Sequence, residues 1–178
     1  GEGVPFELSL AIHSDAGFHT DNSIYGSLSI STTQNADGNT VFASGLSRLA
    51  SSDFAQLVLR SLTDDLSRTF HINWAQREHW DRNYAETRMP EVPSAILETM
   101  SHQNFGDMRF GHDPLFKFTL ARSVYKSILR YVNYEHGVTN YVVQPLAPHA
   151  FAAQLSPDAS SVRLSWQSTC DSLEESAK

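Results

Sequence analysis

The sequence predicts an α/β protein: a mixed or mostly parallel sheet flanked by helices, with a short β appendage at the C-terminus. Three observations carry this. Short apolar runs that read as strands alternate with long amphipathic runs up to Gly137. Helix start and stop signals bracket the longest of the amphipathic runs. After Gly137 the texture changes to prolines and short alternating segments, so 1–137 and 138–178 read as separate regions. The second region reads as a linker followed by the first strands of a β-sandwich.

The elements follow in order. Pro5 to Ile12 reads as a strand in which Phe6, Leu8 and Leu10 alternate with Glu7 and Ser9. "SIYGSLSIST" reads as a second strand, with Ile24, Leu28 and Ile30 toward the core. "QNADGNTVFASG" reads as a turn with Asp37-Gly38 at its tip, so 22–45 forms a hairpin or a protruding loop. "SSDFAQLVLRSLTDDLSRTF" is helical, capped by Ser52, with Phe54, Leu57, Val58, Leu62 and Leu66 on one face. "HINWAQREHWDRNYAETRM" reads as a loop leading into a short strand near Tyr84 to Met89. Its His71, His79, Trp74 and Trp80 suggest either a sugar-stacking loop or an aromatic-rich loop packed on its own domain. Ser94 to Leu97 is a short strand with Glu98 at its end. From Asp113, a helix is capped by that aspartate, opened by Pro114 and ended by Gly137. Its predicted apolar stripe is Leu115, Phe118, Ala121, Val124, Tyr125, Ile128 and Val132. Two strands follow, separated by "SPDASS", with Trp166 as the expected core residue of a sandwich fragment.

Composition narrows the function classes. The 178 residues carry a formal net charge of -7, which argues against nucleic acid and against anionic membrane surfaces as partners. No apolar run is long enough to span a bilayer. Cys170 is the single cysteine, so neither an intrachain disulfide nor a cysteine-rich zinc site is available.

Two predicted strand ends carry chemistry. One is His13-Ser14-Asp15, after an apolar run. The other is Glu98, after Ala95-Ile96-Leu97. Ligands in α/β sheets gather at the carboxyl ends of strands. A glutamate beside such a run is costly to bury unless it is paired or its pKa rises, and a raised pKa suits a general base. The plainer alternatives are a strand-end histidine and a structural carboxylate paired with an arginine such as Arg88. Asp15 fits a turn or hydrogen-bonding role. His19, His102 and His112 fit either a cleft or scattered surface positions.

"LSLAIHSDAG" and "VPSAILETMSHQN", followed by the Asp113-Pro114 helix, resemble the last two motifs of the zinc-dependent N-acetylmuramoyl-L-alanine amidases. There a strand ending in Ser-Ile-His-Ala-Asn-Ala carries a zinc histidine, and a later Val-Leu-Val-Glu-Thr-Gly segment carries the catalytic glutamate. The resemblance spans roughly 5–137 and implies His13 as a Zn2+ ligand and Glu98 as the general base. Asp15, Arg88, His102 and Asn104 are weaker substrate-binding candidates. The implied substrate is peptidoglycan or a related glycopeptide, and the implied location is periplasmic, cell-surface or secreted. The family's Gly-His turn and glutamate ligand are not recognisable in this sequence. An upstream segment of the same protein is therefore expected to supply the other zinc ligands, and the chain alone is expected to be inactive. The region after Gly137 resembles the start of a fibronectin type III-like module. Two alternatives stand beside this: a non-catalytic cell-wall or glycan-binding module with an amidase-like fold, and a polysaccharide lyase of the xanthan type.

Overall fold

The computed structural model describes residues 6–16 and 22–174. Gly17 and His19 lie outside the described residues. The chain divides into two compact units, Gly1–Gly137 and Val138–Lys178.

The first unit is built on a four-stranded sheet. Its strands are β1 (Ser9–Asp15), β2 (Ser27–Ser31), β3 (Gln76–Asp81) and β4 (Ser94–Ser101), in the spatial order β1-β4-β2-β3. β1 runs parallel to β4, β2 antiparallel to β4, and β2 parallel to β3. The sheet is therefore mixed, and its helices are α1 (Leu49–Phe70), α2 (Ala85–Arg88), α3 (Phe105–Gly111) and α4 (Pro114–Glu135). The second unit holds an antiparallel pair, β5 (His149–Leu155) and β6 (Val162–Gln167).

Period-two alternation along β4 sorts its residues between two faces. Ala95 and Leu97 enter the main core with Phe54, Val58, Leu62 and Leu66 of α1, Phe116 and Tyr131 of α4, and Trp74. Ile96 enters a smaller cluster on the opposite face with Leu28, Ile30, Ala11 and Trp80. Four aromatic rings brace the main core: Trp74 meets Phe110 edge-on and Phe116 at a tilt, and Phe70 meets Phe110 edge-on.

The start of β2 requires a glycine. Gly26 has φ +84, and a Cβ there would sit 2.2 Å from the carbonyl oxygen of Ala75. The same turn is anchored by the buried Asp107, whose Oδ2 accepts from the backbone N–H groups of Gly26 at 2.8 Å and Ser101 at 2.9 Å. A carboxylate from α3 thereby ties the start of β2 to the end of β4.

Several expectations are corrected. The strand in the aromatic segment is Gln76–Asp81, and the Tyr84–Met89 stretch instead contains the helical turn α2. The reason lies in pairing: β3 sits beside β2, whereas Thr87 of α2 is pulled inward by a hydrogen bond with Thr32 Oγ1 at 2.6 Å. β2 is an inner strand between β4 and β3, and 32–48 forms the loop after it. The expected turn at Asp37-Gly38 is present, closed by Gly38 N–H donating to Asn35 O at 3.0 Å. α1 begins at Leu49, so Ser52 lies inside it; the N-cap is Arg48, without a side-chain cap. Glu98 is followed by three further residues of β4. α3 had no sequence expectation; Asn104 caps it by accepting from Asp107 N–H at 3.0 Å.

α4 begins as expected, with Asp113 accepting from Leu115 N–H at 2.8 Å and Pro114 at the first position. Its buried face is rotated from the predicted stripe. Phe116, Thr119, Ser123, Val124, Lys126, Ser127 and Tyr131 are buried, while Leu115, Phe118 and Tyr125 are exposed. Part of this polar face is met locally: Ser127 Oγ donates to Ser123 O at 2.8 Å and Lys126 Nζ lies 2.9 Å from Asp65 Oδ2 on α1, while Ser123 Oγ has no hydrogen-bond partner among the described residues.

In the second unit the "SPDASS" turn is built around Asp158. Its carboxylate accepts from the Ser156 and Ser160 hydroxyls at 2.6 and 2.8 Å, which pull its pKa down to about 2. Trp166 is 60% exposed rather than a core residue. Two strands alone offer it no facing sheet.

Candidate active site

The parallel register of β1 and β4 sets His13 directly opposite Glu98. Partnered residues in a ladder project to the same face, here that of the smaller cluster. His13 Nδ1 lies 3.6 Å from Glu98 Oε1. The histidine backbone is held in place as well, because Thr99 Oγ1 donates to His13 O at 2.8 Å.

Glu98 is the more buried member, its side chain 14% exposed against 39% for His13. Burial raises its pKa above the ordinary glutamate range. The charge of His13 opposes that rise, the nearby Asp15 adds to it, and Arg77 opposes it more weakly. Glu98 Oε2 is buried with no hydrogen-bond partner among the described residues. A carboxyl with one oxygen toward an imidazole and the other unmatched is poised to bind or exchange a proton.

A ring of further groups surrounds this pair. A kink in the β1–β4 register between His13 and Asp15 precedes an ion pair of Asp15 with Arg77 of β3. Ser14 Oγ lies 2.9 Å from His102 Nδ1, and His102 N–H donates to Asp15 O at 3.0 Å. Glu86 of α2 approaches the outer nitrogen of His13, with Oε1 at 3.1 Å from Nε2.

The predicted residues thus divide. His13, Glu98 and Asp15 come together, and His102 borders them through Ser14. Arg88 donates to Asn83 O at 3.2 Å, leaving Glu98 to face His13. Asn104 is buried; besides capping α3, it donates to Asn22 O at 3.0 Å. Trp74 belongs to the core, and His79 is held by Ser29 and Ser31 hydroxyls at 3.0 and 3.1 Å. Sequence reasoning missed Arg77 and Glu86. Arg77 is placed by β3, whose "QREHWD" has no apolar alternation and whose register against β2 shifts between Ser27 and Ser29. Glu86 is brought in by a four-residue helix with no signal of its own.

The sheet order, the parallel β1–β4 pair and the flanking helices can be compared with solved structures. N-acetylmuramoyl-L-alanine amidase from Clostridium difficile 630 matches with a TM-score of 0.56 at 16% identity, covering 71% of this chain and 58% of that one. The amidase AmiC2 of Nostoc punctiforme matches at 0.56 and 13%, with the same coverage. The catalytic domain of CwlV from Bacillus (Paenibacillus) polymyxa var. colistinus matches at 0.55 and 16%, again with that coverage. This is the amidase fold. The chain spans somewhat over half the length of these amidases. No family model matches the sequence, and no curated protein does.

Imidazole nitrogen and carboxylate oxygen are donors that zinc accepts, and here Glu86 lies on Nε2 of His13 and Glu98 on Nδ1. Among the described residues, no group of three or more His, Cys, Asp or Glu is placed to hold a metal. The described residues thus offer donors of a kind zinc accepts without completing a zinc site.

Proposed function

We infer that this chain forms part of a zinc-dependent N-acetylmuramoyl-L-alanine amidase. It would hydrolyse the amide between N-acetylmuramic acid and L-alanine in peptidoglycan. The observation that carries this reading is the pairing of His13 with Glu98 across β1 and β4 in a sheet of amidase fold. His13 is a ligand for zinc; further ligands come from outside the described residues. Zinc bound there supplies Lewis acidity toward a carbonyl and toward water. Glu98 does the proton work: its carboxylate takes a proton from the attacking water and returns it to the leaving amine nitrogen. The raised pKa of Glu98 brings it closer to a value suited to both transfers. Asp15 and Arg77, joined as an ion pair, fix the rim on which the substrate rests.

The three structures compared above are all N-acetylmuramoyl-L-alanine amidases by name, which favours this reading over a polysaccharide lyase. The same reading assigns the protein to the periplasm, the cell surface or the secreted fraction. Among the described residues no helix is long and apolar enough to cross a membrane. The second unit is read as the opening strands of a fibronectin type III-like sandwich.

The test is Glu98→Gln in the longest natural form of the protein. Hydrolysis of a muramoyl-peptide is expected to fall about a hundredfold to ten-thousandfold, with zinc still bound. Unchanged turnover would remove Glu98 from the chemistry. The 178-residue chain by itself is expected to show no turnover.

A further inference from the structure

We propose that the outer edge of β1 is a docking edge for one further β-strand, supplied by a part of the protein that these 178 residues do not contain. The inference rests on the amidase fold and on no metal. Among the described residues, the spatial order β1-β4-β2-β3 leaves β1 and β3 as the two edges of the sheet. The direction of the backbone groups along β1 follows from its contacts with the β4 side. Ser9 N–H donates to Pro93 O at 2.9 Å, and Asp15 O accepts from His102 N–H at 3.0 Å. Successive residues of a strand send their N–H and C=O groups to opposite sides, so Ser9, Ala11, His13 and Asp15 face β4. Leu10 and Ile12 present theirs to the outer edge.

The two edges differ in chemistry. β3 carries Arg77, Glu78 and Asp81 within six residues. Charges along an edge strand oppose the addition of another strand. β1 has no charged side chain from Ser9 to Ile12. Its side chains are also incompletely covered. Leu8, Leu10 and Ile12 share one face by their spacing, and Leu8 and Leu10 pack only partly buried against the main core. Ile12 is 53% exposed. β2, which has a strand on each side, is buried at all five positions. Length supplies the occupant. The chain covers 58% of the amidases compared above, so more than a third of each has no counterpart here. A strand of about 5–6 residues and a crossover of roughly a dozen or more would take only part of that length.

The test is amide hydrogen–deuterium exchange, read residue by residue by NMR, in the longest natural form of the protein and in the 178-residue chain. Sedimentation fixes the oligomeric state of each. In the longer form, Leu10 and Ile12 are expected to exchange within about tenfold of Ala11 and His13, whose N–H groups face β4. In the 178-residue chain the same two amides are expected to exchange at least about a hundredfold faster than those of Ala11 and His13. Fast exchange at Leu10 and Ile12 in the longer form overturns the proposal. Slow exchange in the 178-residue chain also overturns it: a dimer would show a second copy on the edge, and a monomer would show the edge already paired within this chain. Neither result touches the pairing of His13 with Glu98, and an unaffected Glu98→Gln variant would leave the exchange pattern as expected here.

Discussion

Adjacent residues of β4 live in different environments, and the contrast shows how this fold separates stability from chemistry. Leu97 faces α1 and α4 in the large aromatic core. Ile96 and Glu98 face the other way, toward a cluster of a few side chains and the site. The first face is where burial accumulates. The second contains a carboxyl with a raised pKa and an unmatched oxygen, groups that a purely structural face would avoid.

A large effect on stability is expected at the buried Lys126–Asp65 pair between α4 and α1. Lys126 is 1% exposed and Asp65 9%, with Nζ and Oδ2 2.9 Å apart between α4 and α1. Lys126→Ala leaves a buried carboxylate unpaired and is expected to cost about 3–5 kcal/mol. The double change Lys126→Met with Asp65→Leu is expected to recover most of that loss, as read by urea denaturation. If the single and double variants are equally unstable, the pair is not what joins the helices.

The two faces can then be compared along one strand. Leu97→Ala opens a cavity among large rings that cannot easily close, at an expected cost of about 3–5 kcal/mol. Ile96→Ala empties a smaller, thinner cluster that can relax, at an expected cost of about 2 kcal/mol. Denaturation midpoints of the two variants measure the difference. An equal loss at both positions would erase the distinction drawn here between thick and thin faces.

Much of this contrast was legible in the sequence. The β1 and β4 runs, the face of α1 and both caps of the α4 start are visible in residue spacing, and so is the pairing of His13 with Glu98 through the motif resemblance. What escaped was decided by tertiary contact. α2 and α3 have four and seven residues, too few for periodicity to show. On α4 the apolar stripe through Leu115, Phe118 and Tyr125 is the conspicuous one, but the neighbouring face, with Ser123, Lys126 and Ser127, packs inward. Small hydroxyl residues let two helices approach closely, and Asp65 neutralises the lysine. Neither fact can be read from α4 alone. Glu86 escaped for the same reason: its reach to His13 depends on how Thr87 docks.

The smallest expected effect concerns His79, which lies between the sheet and α1, away from the proposed metal site. Burial lowers its pKa below the ordinary value of 6.5, while Asp81 and then Ser29 act in the opposite direction. Its ring also meets Ser52 Oγ of α1 at 3.3 Å, so Ser29, Ser31 and Ser52 surround it with hydroxyls. Well above 6.5 the histidine is neutral in both folded and unfolded chains and contributes no pH slope. As pH falls below that value the unfolded chain takes up the proton first, so stability declines until the folded ring is protonated too. His79→Gln is expected to flatten this part of the profile between pH 7 and 5. Because the substitution leaves Leu97 and Glu98 untouched, a flattened slope with an unaltered response of the Glu98→Gln variant would show that acid sensitivity and proton transfer belong to different sides of the same sheet.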